Sequence, residues 1–421
     1  MELPGVPTSL LEELREAAVS IGVSRLALVG GVVRDQLLHQ RFGRPWTGVP
    51  DLDWVVEGDA AALAAELVRR CGSDRLKALQ EYGAFGTVAL QLDGALIDLA
   101  TARQEHYPAP AENPVVQAGT LTADLVRRDF TINAMALDPV SGEIIDEFGG
   151  LDDLNAAIIR AVGNSHDRIR EDGLRIMRAF RFLDSGELGT RVLDEDLQVA
   201  ITENLHMLSK VSSERKWAEL SRILQGINNK EVIRLMQSFG VLNQVIPKTN
   251  FARIERFSGS PLVNLAILCS KDNRSGIDLS NHLKQTLRLS NEEASTIRFL
   301  HDLEISDLSY DISSLRRFNA ALSDSMKKEV MEYFGDMGAE FIKASSNVQP
   351  RSAGNKPLID GEKLMQVTGL EAGIRLGRLK GWLHRRQIEE NLSEVDEVIS
   401  MLGTIDWETE DPGSWSALAW P

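Results

Sequence analysis

Two carboxylates near residue 50 are placed for chemistry that needs paired acids. The segment DLDWVV (51–56) has the alternation and the apolar end of a strand that enters a core. Because alternate side chains of a strand share a face, Asp51 and Asp53 are expected to point the same way. Neighbouring carboxylates repel and are costly to bury without a cation. A divalent metal would offset both charges, and oxygen ligands favour magnesium.

A predicted phosphate site precedes the acid pair. Leu26 to Val29 reads as a short strand, Gly30 and Gly31 interrupt it, and a helix is predicted from Val32 to Gln40. A turn-rich stretch from Gly43 to Pro50 then leads to the acids. Backbone N–H groups at such a helix start bind phosphates. The combination indicates phosphoryl or nucleotidyl transfer, and the alternative is a strand with a polar edge facing solvent.

A third acid, Asp98, lies in a predicted hairpin. Thr87 to Leu92 and Ala95 to Ala100 read as strands joined by an Asp93-Gly94 turn. Asp98 stands among apolar residues, where an unpaired charge would be costly. A hydrogen-bonded structural role and a metal role are equally open. The stretch from Gln104 to Thr122 contains three prolines and predicts a long loop.

The motif Arg127-Arg128-Asp129 combines a possible helix cap with two phosphate-binding side chains. Asp129 is placed to cap an apolar helix predicted to start at Phe130. Arginine binds phosphate oxygens through two parallel hydrogen bonds, so a triphosphate contact is one interpretation. The other is that both arginines pair with Asp124 or with surface acids.

A basic island follows in this acidic chain, on a helix predicted from Arg168 to Leu183. On that helix Asp172 and Arg175 are three residues apart and share a face. A surface ion pair is the simple interpretation. Alternatively, the aspartate accepts from the exocyclic amino group of cytosine or adenine while the arginine donates to the neighbouring ring nitrogen. Uracil and guanine would leave groups unpaired at about 1–3 kcal/mol each.

Composition limits the class of protein. The 421 residues are 43% hydrophobic and 26% charged, with a formal net charge of -16. An acidic chain is not coated in basic surface, so any nucleic-acid site must be a local basic patch. Cys71 and Cys269 are far apart and are expected to be buried thiols in a reducing compartment. The N-terminus lacks signal-peptide features and no apolar run spans a membrane, so a soluble cytoplasmic protein is expected.

The order of predicted elements divides the chain. Residues 1–150 mix short strands and helices and are predicted to be an α/β domain. From Leu151 onward strand signals almost vanish, and helical segments are predicted at 194–205, 212–225, 230–239, 262–269, 291–303 and 323–334. A linker is predicted at about 344–356, a last helical unit at 357–403, and a poorly ordered acidic tail from Trp407.

Five motifs occur in one order and together resemble a known family. They are GGVVRD (30–35), DLD (51–53), RRDFTINAMA (127–136), FGGLDDL (148–154) and EDGLRIMRAFRF (171–182). The combination is similar to class II tRNA nucleotidyltransferases, the family of CCA-adding enzymes and bacterial poly(A) polymerases. The motifs cover roughly half the chain, and the segment from Leu358 to Gly377 also resembles the family's tail. The histidine-aspartate phosphohydrolase signature of some relatives is missing from the C-terminal half.

The resemblance implies a polymerase-β-like nucleotidyltransferase head (1–150), a base-reading helical neck (151–225), RNA-binding body (226–343) and tail (357–403), and an acidic extension (404–421). It implies catalytic, metal-binding Asp51 and Asp53, with Asp98 as a further metal ligand. The nucleotide-binding residues implied are Gly30, Gly31, Arg34, Arg127, Arg128, Asp129, Asn133, Asp172, Arg175 and Arg178. The Lys380, Arg385 and Arg386 cluster is a candidate RNA contact or, more simply, a solvated helix face.

The function that this resemblance implies is addition of the 3′-terminal CCA to tRNA from CTP and ATP. Two Mg²⁺ ions would act in the two-metal pattern and pyrophosphate would leave. Alternatives within the family are addition of CC only or A only, with a partner nucleotidyltransferase completing the end, and poly(A) synthesis. Alternatives outside it are nucleotide transfer to a small molecule and a non-catalytic RNA-binding protein. No membrane partner is expected.

Overall fold

The computed structural model describes residues 6–46, 51–82, 86–112, 114–139, 141–254 and 256–421. Part of the turn predicted before Asp51, residues 47–50, therefore lies outside the described residues. Two compact units are present: Met1–Lys248 with Thr286–Arg288, and Thr249–Gln285 with Leu289–Pro421.

The first unit is built on a mixed sheet with strand order β3-β4-β5-β2-β1-β8-β9. The strands of this unit are β1 Arg25–Val29, β2 Leu52–Glu57, β3 Leu76–Tyr82, β4 Thr87–Leu92, β5 Ala95–Thr101, β6 Arg103–His106, β7 Val115–Ala118, β8 Ala136–Leu137, β9 Ile144–Ile145, β10 Ile158–Ile159 and β11 Val192–Leu193. Strands β2 and β5 pair in parallel, with Asp53 opposite Asp98. The other pairs in this sheet are antiparallel.

Helices surround the sheet and continue beyond it. Those of the first unit are α1 Thr8–Ser20, α2 Gly31–Phe42, α3 Ala60–Arg75, α4 Leu121–Val126, α5 Gly150–Asn155, α6 Ser165–Glu171, α7 Leu174–Leu183, α8 Glu195–Glu203, α9 Ser213–Gln225, α10 Asn229–Ser238 and α11 Val241–Val245. Helix α7 buries Ile176, Met177 and Phe180 completely, so its opposite face is left for charged side chains.

Among the described residues beyond Val245, the regular elements are all helical. The helices are α12 Pro261–Leu268, α13 Gly276–Leu287, α14 Asn291–Asp302, α15 Ile312–Ala321, α16 Asp324–Phe334, α17 Asp336–Ser346, α18 Gly361–Thr368, α19 Ile374–Glu389 and α20 Val395–Ser400. An α/β region followed by a helical region was predicted, and this order is confirmed. Both cysteines are buried free thiols, also as predicted.

Two predictions around residue 120 are wrong. The predicted loop from Gln104 to Thr122 contains the antiparallel hairpin of β6 and β7, and α4 begins at Leu121. The helix predicted from Phe130 is only a 3-10 turn at Thr131–Asn133 that leads into β8. Phe130 has extended backbone and bridges to Ala161, which prevents a helix from starting there.

The tail from Trp407 was predicted to be poorly ordered, and this prediction is wrong. Its tryptophans are packed into the protein. Trp415 is 2% exposed and belongs to an apolar core with Leu379 and Leu383 of α19. Trp420 is 3% exposed and contacts the ring of Phe318 at a centroid distance of 4.8 Å. Buried tryptophan supplies a large apolar area, and this holds the acidic segment against the second unit.

Candidate active site

The acid pair lies where β2 meets a cavity of the first unit. Asp51 immediately precedes β2 and is exposed, whereas Asp53 is half-buried within the strand. Leu52 and Trp54 are buried on the opposite face, as the alternation predicts. Asp98 lies opposite Asp53 on β5 and is exposed, so its predicted burial among apolar residues is wrong.

The acids repel one another electrostatically. Burial raises the pKa of Asp53 to about 6; the Arg128 charge opposes this shift, and Asp98 and Asp51 add to it. Partial desolvation and the charge of Asp51 likewise raise the pKa of Asp98. Such oxygen donors fit Mg²⁺, which takes one or two protein carboxylates and completes its shell with water and substrate phosphates. Among the described residues no ready-made group of three or more metal-binding side chains occurs.

Gly30 allows the backbone at the start of α2 to approach these acids closely. Its φ of 77° lies in the left-handed region, at the junction of β1 and α2. A Cβ at this position would lie 3.2 Å from Arg128 Nη1 and 3.4 Å from Asp53 Oδ2. Helix α2 starts at Gly31 without a side-chain cap, so its first N–H groups are open to an anion.

Replacement of Gly30 by alanine is expected to destabilise the fold by about 1–2 kcal/mol and to raise the KM for nucleotide. The left-handed backbone and the close Arg128 contact both disfavour a side chain here. Gly31→Ala is the matched control, because its Cβ would meet Arg34 Nη2 at an ordinary 3.6 Å. Chemical denaturation of both variants measures the difference. Equal unfolding free energies for the two would contradict the strain assigned to Gly30.

Asp124 holds the two arginines of the RRD motif. Its carboxylate is fully buried and accepts from Arg127 Nη2 at 2.6 Å and from Arg128 Nη2 at 3.0 Å. Glu105 of β6 contacts Arg127 at 3.3 Å. The sequence left open whether these arginines pair with Asp124. Both do, and Asp124 is buried and not a surface acid. It orients both guanidiniums towards the cavity.

A second hydrogen-bonded chain links the motif to α2 and α7. Asp129 accepts from Arg178 Nε at 2.7 Å and from Asn133 Nδ2 at 3.1 Å. The side-chain oxygen of Asn133 accepts from Arg34 Nη1 at 2.7 Å. Burial favours the neutral form of Asp129, but Arg178, Asn133 and the Phe130 N–H outweigh it and lower the pKa of Asp129. Asp129 therefore stays charged. It holds these hydrogen bonds together and does not cap a helix.

The EDGLR motif does not form one continuous helix, so this prediction is wrong. Helix α6 ends at Glu171, Asp172 has an extended backbone, and α7 starts after Gly173. A Cβ on Gly173 would lie 2.5 Å from Met207 O, so close packing requires glycine at this break. Asp172 accepts from Arg215 Nη2 at 2.6 Å. Arg175 donates instead to Glu171 and to the Arg127 carbonyl, at 2.5 and 2.8 Å.

These elements enclose a cavity of about 700 Å³. Its described lining contains eight arginines and four aspartates. The lining includes both acids of the pair and every predicted nucleotide-binding residue: Gly30, Gly31, Arg34, Asp51, Asp53, Arg127, Arg128, Asp129, Asn133, Asp172, Arg175 and Arg178. Asp98 is not part of this lining. The surplus of positive charge suits a polyanionic ligand such as a triphosphate.

Several lining residues were missed by the sequence analysis. Arg181 lies 4.0 Å from the ring centroid of Phe182 and bonds to the buried Glu219 of α9. Arg215 and Arg222, also on α9, complete the wall. A signal for these was present, because residues 215, 219 and 222 follow helical spacing and share one face.

The predicted RNA contacts lie on α19 of the second unit. Arg385 pairs with Glu389 at 2.8 Å, and Arg386 pairs with Glu390 at 2.5 Å. Their charges are therefore partly neutralised, and the role predicted for them and for Lys380 stays a prediction.

Two segments of the chain match models of known protein families. Residues 26–160 match the family model of the poly A polymerase head domain, and residues 192–252 match a probable RNA-binding region of polymerase A. A CCA-adding enzyme of Enterococcus faecalis is 29% identical, and the alignment covers 93% of this chain and 96% of that protein. The predicted resemblance to class II tRNA nucleotidyltransferases and bacterial poly(A) polymerases is therefore confirmed.

One similar protein is much longer than this chain. An A-adding tRNA nucleotidyltransferase of Aquifex aeolicus is 38% identical over 53% of this chain, but the match spans only 26% of that relative. A solved structure of the Thermotoga maritima CCA-adding enzyme complexed with tRNA has a TM-score of 0.64 at 23% identity, covering 94% of each chain. The fold predicted for this family, a polymerase-β-like head followed by helices, is confirmed. No helix in the described part of the chain is long and apolar enough to cross a bilayer.

Proposed function

We propose that this chain adds the 3′-terminal CCA of tRNA, or part of it, from CTP and ATP and releases pyrophosphate. The observation that carries the proposal is the single cavity lined by Asp51, Asp53 and eight arginines, with Asp172 on its wall. An acid pair, a phosphate-binding wall and a hydrogen-bonding base reader are the parts that templated nucleotidyl transfer needs.

Each part has a role in this proposal. Asp51 and Asp53, with Asp98 nearby, would hold Mg²⁺, which when bound supplies Lewis-acid stabilisation of phosphoryl oxygens. Gly30, Gly31 and Arg34 bind the triphosphate, and Arg127 and Arg128 add charge. Asp129, Asn133 and Arg178 position the sugar.

Base reading falls to Asp172 and Arg175. Asp172 keeps acceptor capacity beyond its bonds to Arg215 and to the Leu174 N–H, because a carboxylate has about four acceptor sites. Arg175 uses three of its five N–H donors on the Arg168 carbonyl, Glu171 and the Arg127 carbonyl. The remaining donors suit the ring nitrogen of cytosine or adenine.

The partners proposed are tRNA, ATP and CTP, in the cytoplasm. RNA duplexes are recognised mainly by shape, phosphates and 2′-hydroxyls, so the helices after the head need no sequence code. The division of residues 151–403 into neck, body and tail remains part of the proposal. So does the assignment of RNA contacts to Lys380, Arg385 and Arg386.

The test uses purified protein, Mg²⁺ and three tRNA transcripts that end at the discriminator base, at C or at CC. Each transcript receives labelled CTP or ATP, and the products are sized on a sequencing gel. Addition of CC and then A, followed by a stop, supports full CCA addition. Long A tails on any RNA would replace the proposal with poly(A) synthesis, and no addition would favour a binding protein.

A second candidate is A addition alone, favoured by the identity to the A-adding relative from Aquifex aeolicus. Labelled ATP would then extend the CC transcript only, and CTP would extend none. A partner nucleotidyltransferase would have to supply the preceding CC.

Replacement of Asp172 by asparagine is expected to relax selection against UTP by about tenfold or more. An amide can donate to the uracil carbonyl that the carboxylate rejects, and one such pair is worth about 1–3 kcal/mol. Asp172 is a cleaner target than Arg175, whose loss would also remove one of the two arginine partners of Glu171. Single-nucleotide kcat/KM for UTP relative to CTP measures the effect. Asp167→Asn, in the first turn of α6 and outside the cavity lining, is the control; equal ratios in both variants would remove Asp172 from base reading.

Binding of Mg²⁺ is expected to weaken as pH falls through about 6. The pKa of Asp53 is raised from 3.8 to about 6 in the folded chain, so this carboxyl is protonated there and cannot ligate a metal. In the absence of metal, the stability of the fold changes with pH in the opposite direction. The stabilising contribution of protonated Asp53 is fully present below pH 3.8 and is lost as pH rises through about 6. Calorimetric titration with Mg²⁺ between pH 5 and 8 measures the affinity. Asp53→Asn should flatten the pH dependence of both Mg²⁺ affinity and stability. A wild-type Mg²⁺ affinity that does not change with pH would refute the raised pKa of Asp53.

A further inference from the structure

The second unit contains a cavity of about 310 Å³ that the proposed chemistry does not use. It lies between α15, the end of α17 and the segment that follows α17. Its lining mixes polar and apolar groups and includes two arginines but no carboxylate among the described residues: Arg316, Asn319, Ser345, Ser346, Val348, Gln349, Pro350, Arg351, Gly354 and Asn355.

Both guanidiniums are held by neutral groups. Arg316 Nη1 donates to the Glu389 carbonyl at 2.9 Å, and Arg351 Nη2 donates to the Leu392 carbonyl at 2.7 Å. Arg351 Nε donates to Asn391 Oδ1 at 3.2 Å, while its Nη1 is buried and has no hydrogen-bond partner. These hydrogen bonds hold both side chains in place, and within the described chain neither arginine forms a salt bridge.

The acid whose backbone carbonyl holds Arg316 has its own carboxylate paired with other cations. The carboxylate of Glu389 is buried and pairs with Arg317 at 3.3 Å, Arg385 at 2.8 Å and Arg386 at 3.2 Å. Burial lowers the pKa of Arg351, and the charge of Arg316 lowers it further. Two partly buried like charges destabilise the apo protein, and an anion between them would relieve this repulsion.

We infer that this cavity binds a phosphate group of an RNA backbone. Arginine, serine, asparagine and glutamine side chains are the usual protein donors to backbone phosphates. The cavity offers all four types, and its two arginines supply the positive charge and N–H donors that phosphate oxygens bind. The inference rests on the proposed function, because it takes the RNA to be the tRNA substrate. It assigns this contact to Arg316 and Arg351 rather than to the acid-paired arginines of α19.

The experiment measures tRNA affinity against salt for the full chain. Arg351→Gln removes one of the two charges, and Ser346→Asp places a carboxylate in the cavity wall. Ser346 is exposed and its hydroxyl bonds only to Ile342 O of the same helix, so this second variant is expected to fold. Lys343→Gln is the matched control, since it changes the net charge equally on an exposed face of α17 outside the lining.

Both cavity variants are expected to weaken tRNA binding at least about threefold, and to reduce the slope of log K against log salt by about 1. Lys343→Gln is expected to change neither. If wild-type protein binds tRNA and the cavity variants match Lys343→Gln, the inference is overturned and the proposed function stands. If wild-type protein binds no tRNA, both are overturned.

A separate arm distinguishes the source of the phosphate. Inorganic phosphate is added to wild-type protein and to Ser346→Asp, and the melting temperatures are compared. If phosphate stabilises only the wild type, and the cavity variants bind tRNA as tightly as the wild type does, the cavity binds a free anion. That result would overturn RNA as its ligand. Weaker tRNA binding by both cavity variants supports the inference.

Discussion

Replacement of Asp51 by alanine is expected to lower nucleotide addition by a factor of about 10³ or more while tRNA remains bound. The loss of one of two metal-holding carboxylates removes several kcal/mol of transition-state charge stabilisation, and each 1.36 kcal/mol is tenfold in rate. Asp51 is exposed and precedes β2, so its removal leaves the apolar core of the strand intact. Single-turnover addition of CTP and a tRNA gel-shift measure the two properties separately.

Two further variants make this test specific. Asp74→Ala removes an exposed acid of α3 and is expected to leave addition unchanged. Asp98→Asn tests the third acid, which lies opposite Asp53 but outside the lining of the large cavity. Survival of addition in Asp51→Ala would show that the acid pair is assigned wrongly. Loss of tRNA binding in the same variant would show that Asp51 has an additional binding role.

Replacement of Asp124 by asparagine is expected to reduce the free energy of unfolding by about 3–5 kcal/mol. The carboxylate is fully buried and is the shared partner of Arg127 and Arg128, so the variant removes this acid from two largely buried cations, of which Arg127 keeps its contact with Glu105. Released from Asp124, both guanidiniums also lose their orientation, and the KM for nucleotide is expected to rise. Urea denaturation and steady-state kinetics measure these effects.

Asp152→Asn is the control for that variant, because Asp152 is an exposed acid on α5. Its expected cost is a few tenths of a kcal/mol. A change below about 1 kcal/mol for Asp124→Asn would contradict the view that this buried acid organises the arginine pair.

Local sequence determines several parts of this fold. The Asp93-Gly94 turn is recognisable because both residues adopt positive φ, which few residues other than asparagine, aspartate and glycine tolerate. The strand at Leu52–Glu57 is recognisable from its alternation, since Leu52 and Trp54 have to be buried together. In both cases neighbours along the chain supply the information.

The errors arise where distant contacts decide the structure. The hairpin of β6 and β7 is short and largely exposed, so its residues lack the alternating pattern of a half-buried strand. Phe130 is kept from a helix by its bridge to Ala161. The tryptophans of the C-terminal segment have no regular spacing, and only their contacts in the second unit bury them.

The sequence predicts many of the residues that line the candidate site, but not the ion pairs that these residues form. The sequence points to Asp172 and Arg175 through a helix that in fact breaks between them. It contains no local signal that Asp124 is completely buried, or that Arg215 of α9 is the partner of Asp172. Ion pairs between separate elements depend on tertiary packing, which no local pattern specifies.

The parallel pairing of β2 with β5 has a consequence for the order of folding. Asp53 and Asp98 are 45 positions apart in the chain and meet only when these two strands are in register. Closing such a separation costs chain entropy before any contact is gained, whereas helices form from local contacts. The helical part of the chain is therefore expected to acquire structure early, and the acids are brought together late. During refolding, protection of β2 and β5 amides from hydrogen exchange should lag behind that of α19.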